Sequence, residues 1–237
     1  MAHDLRSPLA RIIGYADFLR EEAAGRLEPL HRDFLERLYG GAQRMQTLID
    51  DLLDYATAEN RTLNTTTVDL KALAEDIAHE RLSEARQSDT LIVVDPLPAV
   101  PGDAVLLRQV LDNLIGNAVK YTAEGRQPYV RISGRPEGDV VRVDVADRGI
   151  GIPEEQRDTV FTAFSRAAGS ESYPGTGLGL AIVHRIIERH GGQVGVADNP
   201  GGGTRIWFTL PLVHRPGEHG PGDHAPTGPA DWAMVGR

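Results

Sequence analysis

The sequence contains no cysteine, which excludes disulfides and thiolate metal sites and fits a reducing compartment. Basic residues are also scarce, since 25 lysines and arginines face 34 aspartates and glutamates, for a formal net charge of −9. Nucleic-acid binders usually need a basic face. No apolar run approaches the roughly 20 residues of a membrane-spanning helix, and no signal peptide is visible. We therefore expect a cytoplasmic chain without nucleic-acid or membrane contact in the residues given.

Two stretches of helical periodicity open the chain. Apolar side chains recur every three or four residues over 3–24 and again over about 30–58, and the segment 24–29, which holds a glycine and a proline, predicts a turn between them. Two long helices joined by a short turn form an antiparallel hairpin. Such a hairpin has little of its own to bury against, so it either dimerises into a four-helix bundle or serves as a coiled-coil spacer. The hairpin alone leaves both open.

A histidine and an aspartate, His3 and Asp4, lie in the first turn of the first predicted helix. Pro8 cannot donate a hydrogen bond to the carbonyl of Asp4, so we expect a local bend just after the histidine. Taken alone, such a pair is typical of an ordinary protein surface. The hypothesis that His3 accepts a phosphoryl group therefore depends on a nucleotide site elsewhere in the chain.

Beyond a polar linker at 61–66, the pattern changes to mixed α and β. DPLPAVPGD is predicted as turn-rich and RPEG as a hairpin turn. Helices and hairpin-linked strands together favour an α/β sandwich with a mixed or antiparallel sheet. This predicts a helical domain at 1–60, an α/β domain at 67–213 and, from its glycine, proline and histidine content, a disordered tail at 214–237. The predicted elements of the α/β domain are helices at 69–87, 103–121 and 178–190 and strands at 90–94, 128–134, 139–147, 193–198 and 204–210.

A polar stripe follows one face of the helix predicted at 103–121. Asn113, Asn117 and Lys120 stand at positions i, i+4 and i+7, and Tyr121 comes four residues after Asn117. An amide oxygen can ligate Mg²⁺, and a lysine neutralises phosphate charge. The stripe is therefore a candidate polyphosphate site, although a solvated helix face has the same spacing.

Two glycine-rich turns follow the stripe. Asp147 leaves a predicted strand into a turn with Gly149 and Gly151, where a carboxylate can meet a flat base and glycines let the ligand approach the backbone. The run GTGLGL, residues 175–180, precedes a helix and offers free amides and a positive dipole end to phosphates. The long connection between these turns is predicted to be a lid, because such lengths in compact domains are usually functional.

In their order and spacing, these motifs strongly resemble the ATP-binding domain of bacterial sensor histidine kinases, from the superfamily that contains gyrase, Hsp90 and MutL. The opening HDLRSPL and its hairpin resemble the dimerisation and histidine-phosphotransfer domain of the same kinases. The resemblance covers residues 1 to about 212. The motifs that carry it are Asn113-x3-Asn117-Ala118-x-Lys120-Tyr121, Asp147-x-Gly149-x-Gly151, Phe161-x2-Phe164, Gly175-Thr176-Gly177-x-Gly179-Leu180 and Gly203-Thr204.

The resemblance implies ATP and Mg²⁺ as cofactors and a role for each motif residue. Asp147 would hydrogen-bond the adenine amino group, with Tyr121 near the base and Thr204 in the pocket wall, and Asn117 would ligate Mg²⁺ between the phosphates. The other implied contacts are Asn113 and Lys120 on the phosphate chain, Gly149 and Gly151 beside the base, and Gly175, Thr176, Gly177, Leu178 and Gly179 in the phosphate-side lid.

The implied activity is autophosphorylation of His3 and transfer of the phosphoryl group to an aspartate of a response regulator. His3 would attack the γ-phosphate through its neutral imidazole, while Asp4 orients the ring and accepts its proton. Ser7 stands where the family commonly has threonine or asparagine to position a dephosphorylating water, which implies phosphatase activity through a hydroxyl with freer rotamers. The implied partners are a second copy of the hairpin and a receiver domain.

Two other functions stand against this one. The first is an ATPase that only drives conformational change, and the HDLRSPL hairpin argues against it because such ATPases lack a phosphoacceptor hairpin. The second is a non-catalytic scaffold, and the asparagine, aspartate and glycine motifs argue against it. The family normally carries a helix upstream of the histidine, leading back to a sensor. The short segment before His3 therefore predicts a truncated chain whose parent is either membrane-anchored or joined to a soluble sensor.

Overall fold

The computed structural model describes residues 2–23, 25–60, 62–84, 90–170 and 172–212. Of residues 2–5, 23, 59, 60 and 84 it describes the backbone and not the side chains. The predicted tail at 214–237 lies outside the described residues. None of the described helices combines the length and the apolar character that a bilayer span requires.

The N-terminal part is the predicted antiparallel hairpin. Helix α1 spans Ala2–Ala23 and helix α2 spans Pro29–Asn60. Arg6 pairs with Asp50 at 2.7 Å at one end, and Arg20 pairs with Glu36 at 2.9 Å toward the other, which fixes the antiparallel register. Small and branched side chains fill the narrow seam between the helices, and those buried there are Leu9, Ala16, Leu35 and Ala42.

The second part alternates helices and strands. Its helices are α3 (Leu70–Glu84), α4 (Ala104–Lys120) and α5 (Gly179–Arg189). Its strands are β1 (Thr66–Asp69), β2 (Leu91–Val94), β3 (Ala99–Gly102), β4 (Tyr129–Glu137), β5 (Val140–Asp147), β6 (Val194–Asp198) and β7 (Thr204–Pro211). Two short 3₁₀ turns, Glu154–Gln156 and Thr159–Phe161, interrupt the connection between β5 and α5.

Five strands form the mixed sheet that the sequence predicts. Their order is β2-β4-β5-β7-β6, with β2 parallel to β4 and the other neighbours antiparallel. Alternate residues of each strand point into one core beneath α3, α4 and α5, as period-2 strands require. On β5 these residues are Val141, Val143 and Val145, and they meet Leu111, Leu114 and Ile186 among others.

Two of the turn predictions are wrong. RPEG is not the hairpin turn, because β4 continues through Glu137 and the chain reverses at Gly138 and Asp139, where Gly138 has φ +65°. Pro136 fits in β4 because β2 pairs with β4 only as far as Ile132, and a proline is tolerated where a strand has one neighbour. The segment DPLPAVPGD is not only turns, since β3 lies inside it and pairs antiparallel with β1.

Asp103 caps the N-terminus of α4. Its Oδ1 accepts from the backbone N–H of Val105 at 3.0 Å and of Leu106 at 3.3 Å, a helix N-cap. Its own N–H donates to Nε2 of His190 at 3.0 Å, at the end of α5. The two helices that flank the candidate site are thus tied together at their far ends.

Candidate nucleotide site

Asp147, the last residue of β5, is a buried acid, and one of its carboxylate oxygens already accepts hydrogen bonds from the backbone. Its Oδ1 accepts hydrogen bonds from the backbone N–H of Gly149 at 2.8 Å and of Thr204 at 3.0 Å. The side-chain amide of Asn199 donates to the backbone carbonyl of Asp147 at 2.7 Å. Since both N–H donors reach Oδ1, Oδ2 remains for a donor on a ligand in the adjoining cavity.

Burial makes the ionised form of this acid costly. It raises the pKa of Asp147 above its ordinary value, and the hydrogen bonds from Thr204 and Gly149 partly oppose that shift. A buried carboxylate of this kind gains from one more hydrogen-bond donor. The adenine amino group is such a donor.

Glycines allow the backbone to close tightly around Asp147. A Cβ on Gly149 would lie 2.5 Å from the carbonyl oxygen of Tyr121, and a Cβ on Gly203 would lie 2.2 Å from the carbonyl oxygen of Asp147. Gly203 also has φ +90°, a conformation that side-chain-bearing residues rarely adopt. Both glycines therefore shape this end of the site through the backbone.

Gly203→Ala is expected to lower the free energy of unfolding by about 3 kcal/mol, because the methyl group adds a backbone clash to an unfavourable φ. Gly202→Ala is the matched control, since Gly202 has φ +100° with open space around its Cβ, and it should cost only about 1–2 kcal/mol. Urea unfolding measures both. Equal losses in the two variants would show that the contact with Asp147 is not the cause.

The polar stripe of α4 lines the other end of the site. Lys120 Nζ lies 4.2 Å from the centre of the Tyr121 ring, and it forms none of the ion pairs among the described residues. Oδ1 of Asn113 faces the first residue of α5, where a Cβ on Gly179 would be only 2.7 Å from it. An unpaired ammonium beside a helix N-terminus forms an anion-binding environment.

The connection from β5 to α5 folds over this end as a lid. Arg166 donates to the backbone carbonyls of Ser170 and Tyr173, and the Tyr173 hydroxyl donates to the carbonyl of Thr122 at 3.1 Å. The N–H of Phe164 donates to the carbonyl of Gly177 at 3.0 Å. The described residues of the predicted lid are thus held by hydrogen bonds among themselves and to the end of α4.

Together these elements enclose a cleft of about 510 Å³, a size suited to a small ligand. It runs from Asp147 at one end to the glycine-rich start of α5 at the other. Most of the residues singled out from the sequence line it, namely Asn113, Asn117, Lys120, Tyr121, Asp147, Gly151, Gly175, Thr176, Gly177, Gly179 and Thr204.

Two predicted contact residues do not line the cleft. Gly149 lies behind Asp147 and contributes its N–H to that carboxylate. Leu178 is fully buried in the hydrophobic core, immediately before α5, because the first turn of an amphipathic helix must anchor its apolar side. Its side chain therefore does not line the cleft, and its place in the phosphate-side lid stays a prediction that concerns its backbone.

The structure adds a wall that the motifs did not indicate. Arg44, Thr47, Leu48 and Asp51 of α2 line the cleft, and they stand at positions i, i+3, i+4 and i+7 on one helix face. In the sequence, Leu48 belongs to the apolar face of this helix, and nothing distinguishes Arg44, Thr47 and Asp51 from solvated residues. Asn199 was also missed, because its contact with Asp147 spans 52 residues of chain.

Of the three residues assigned to phosphotransfer, the side chain of Ser7 is exposed on α1. Those of His3 and Asp4 lie outside the described part of the structure, although their backbone belongs to the first turn of α1. That turn neighbours the end of α2 that carries Asp50, the partner of Arg6.

The ligands implied by the resemblance fit these residues. Oδ2 of Asp147 can accept a hydrogen bond, and the adenine amino group can donate it. The environment of Lys120 and the start of α5 favours an anion, and a phosphate chain is such an anion. Asn117 lines the same cleft, with its Nδ2 3.8 Å from where a Cβ on Gly179 would lie, and its amide offers the kind of hard oxygen that Mg²⁺ prefers.

Family models match both parts of the chain. Residues 1–61 match the "His Kinase A (phospho-acceptor) domain", and residues 102–214 match the "Histidine kinase-, DNA gyrase B-, and HSP90-like ATPase". The sensor histidine kinase AruS of Pseudomonas aeruginosa is 36% identical over 223 residues, which cover 90% of this chain and 22% of that protein. The chain spans less than a third of the length of the curated relatives it matches.

Solved structures give the same result. Full-length ShkA in complex with AMPPNP aligns with a TM-score of 0.68 at 31% identity, over 90% of this chain and 45% of that one. Histidine kinase ThkA in complex with response regulator protein TrrA aligns with a TM-score of 0.62 at 26% identity, over 90% and 60%. The chain therefore belongs to the sensor histidine kinases, with their phosphoacceptor domain in its helical hairpin and their ATP-binding domain in its α/β part.

Proposed function

We propose that the chain is an ATP-dependent protein-histidine kinase, which phosphorylates His3 and passes the phosphoryl group to an aspartate of a response regulator. One observation carries the proposal: a cleft with an adenine-type acid at one end and an anion-type helix start at the other is walled by the hairpin that bears HDLRSPL. The absence of cysteine and the need for ATP support a cytoplasmic setting for the reaction.

At the base-binding end, Oδ2 of Asp147 accepts a hydrogen bond from the adenine amino group. Thr204 is 5% exposed and holds the carboxylate through its N–H, so the acceptor is fixed before the base arrives. Tyr121 packs near the base. Positioning of this kind lowers the entropy that binding must overcome.

At the phosphate end, Lys120 neutralises charge on the phosphate chain, and Asn113 and the backbone from Gly175 to Gly179 donate to it. Asn117 would hold Mg²⁺, which when bound would supply charge neutralisation on the phosphates. The lid excludes water from the γ-phosphate.

His3 is the nucleophile. Its neutral imidazole nitrogen forms a bond to the γ-phosphorus while the bond from that phosphorus to the β–γ bridging oxygen breaks, and ADP leaves with that oxygen and its electron pair. Asp4 orients the ring and takes the proton of the other nitrogen. Ser7 is proposed to position water when the phosphorylated regulator is hydrolysed.

The test is incubation with γ-labelled ATP and Mg²⁺, followed by addition of a receiver domain. We expect a protein-bound label that is acid-labile and base-stable, and its loss when the receiver is added. An acid-stable label, or none at all with ATP bound, would contradict the proposal. The TrrA complex of the related ThkA supports a receiver domain as the partner.

The hairpin is proposed to act as a homodimer through a four-helix bundle. Large apolar side chains remain exposed on it, and such a surface calls for a partner. On α1 and α2 they are Ile12, Tyr15, Phe18, Leu19, Leu30, Phe34, Leu38, Met45, Leu48 and Leu52. Their spacing of three, four and seven residues follows the faces of both helices.

Phe18→Glu is expected to weaken the dimer at least about tenfold, because burying a charge in the seam replaces roughly 2 kcal/mol of apolar burial. Phe18 is 62% exposed in the single chain, and Leu91→Glu, in the α/β part at 47% exposure, is the control. Light scattering over a concentration series measures both. A dimer that survives Phe18→Glu, or that Leu91→Glu disrupts equally, would refute a hairpin interface.

A further inference from the structure

Asp51 joins the hairpin to the nucleotide lid. Oγ1 of Thr176 donates to Oδ2 of Asp51, a contact between α2 and the middle of the glycine run before α5. Both side chains line the nucleotide cleft. Asp51 forms none of the ion pairs among the described residues, whereas its neighbour Asp50 is paired with Arg6. The cleft thus has an unneutralised carboxylate in its wall.

The packing of α5 beside α2 places this carboxylate at the phosphate end. Arg185 lies over the ring of Tyr55 at 5.8 Å, and Arg189 donates to the carbonyl of Ala58. Along both helices residue numbers increase in the same direction from the contact of Asp51 with Thr176, so the two helices run parallel. Asp51 therefore stands beside the N-terminal end of α5.

Thr176 links that carboxylate to the start of α5. Its Oγ1 accepts from the N–H of Leu178 at 3.3 Å while it donates to Asp51. The flanking glycines lie against the phosphate-end side chains, since a Cβ on Gly175 would be 3.0 Å from Lys120 Nζ. Asp51 is therefore linked through Thr176 to the backbone N–H groups at the start of α5. These N–H groups and the helix dipole favour a bound anion.

We propose that Asp51 is a positioning residue that holds the lid against the hairpin through Thr176 and competes with the terminal phosphate of ATP. The proposal rests on the proposed function, which assigns this end of the cleft to phosphate. Two anions at one helix start repel each other, and the repulsion grows with the charge of the nucleotide. ATP binding therefore releases Thr176 from Asp51, and the nucleotide with fewer phosphates does so less.

The experiment compares equilibrium binding of Mg-ATP and Mg-ADP to the full chain and to Asp51→Asn. Removing the charge should tighten ATP binding about three- to tenfold and ADP binding less, since a unit charge at a partly exposed site acts on this scale. Asp51→Glu keeps the charge and should bind as the wild type does. Asp33→Asn is the matched control on α2, because Asp33 is exposed and paired with Arg37 at 2.8 Å. It should change neither affinity.

The ratio of the ATP affinity to the ADP affinity in each variant tests the proposed role of Asp51. Tighter binding of ATP with a raised ATP-to-ADP preference in Asp51→Asn alone supports the proposal. Weaker ATP binding, as expected if Asp51 held the metal ion, overturns it, and so does an unchanged ratio. If the wild type binds ATP and Asp147→Asn does not, the proposed function stands. An unchanged ATP-to-ADP preference in Asp51→Asn then overturns the proposed role of Asp51 alone. A wild type that binds no ATP overturns the proposed function together with it.

Discussion

Asp147→Asn is expected to weaken ATP binding by about 100-fold or more. Asparagine keeps an oxygen for the N–H groups of Gly149 and Thr204. It then turns its NH₂ group toward the cleft, where the adenine amino group also donates. Losing a charged acceptor and facing two donors together costs roughly 3 kcal/mol. Titration with ATP measures the loss, and unaltered affinity would refute the adenine assignment.

The same substitution should leave the nucleotide-free protein as stable as the wild type at neutral pH, or more stable. The pKa of Asp147 is raised by burial above its ordinary 3.8, so the folded state holds this proton more tightly than the unfolded state. The carboxylate's cost is therefore absent at pH below 3.8 and grows as pH rises through the folded-state pKa. Unfolding at several pH values should show the stability of Asp147→Asn relative to wild type increasing from about pH 3 to 7.

Asp144→Asn is the matched control for both effects. Asp144 lies on the same strand and is also buried, but it faces the opposite side of the sheet and pairs with Arg135 at 3.1 Å and Arg142 at 3.2 Å. Removing its charge leaves Arg142 without its carboxylate partner and Arg135 with Glu137 alone, so this variant should lose stability and keep ATP binding. A loss of ATP binding in Asp144→Asn would mean that sheet integrity, and not the Oδ2 acceptor, controls the affinity.

His3→Gln is expected to remove the acid-labile label entirely, a loss of more than about 1000-fold, because glutamine offers no nucleophilic nitrogen. ATP binding should persist, since no residue of the nucleotide cleft is changed. Labelling with γ-labelled ATP, followed by mapping of the modified residue, measures the effect. His31→Gln, on the exposed start of α2, should label as the wild type does.

The same experiment separates the competing functions. Label that survives His3→Gln would refute the phosphoacceptor assignment. ATP hydrolysis without any protein-bound label would favour an ATPase that drives conformational change. Absence of ATP binding in the wild type would favour a non-catalytic scaffold.

Much of the site could be predicted because its parts are local in sequence. The stripe of Asn113, Asn117 and Lys120 follows from the helical period, and the exit of Asp147 into a glycine turn follows from the strand before it. Both line the cleft as expected. The hairpin was predictable for the same reason, since its two apolar patterns are each continuous. Whether its exposed apolar face forms a dimer remains a prediction.

Other features depend on residues far apart in the chain. Strand β3 is rich in proline and glycine, and it becomes a strand only because β1 pairs with it. Leu178 stands within the glycine-rich run that the sequence predicts to bind phosphate, yet its side chain lies in the core, where it anchors the start of α5. The local sequence pattern predicts the type and period of an element. It does not predict which distant residues pack against that element.

The sequence by itself determined the two-part architecture and the residue types at both ends of the cleft, because periodic helices and glycine turns are short-range properties. Only the tertiary structure decided what closes the cleft. Asp51 and Thr176 meet across 125 residues of chain, and neither their spacing nor their surroundings in the sequence predicts the contact. It exists because α5 packs along α2, and side-chain packing between distant helices is settled when the whole chain folds.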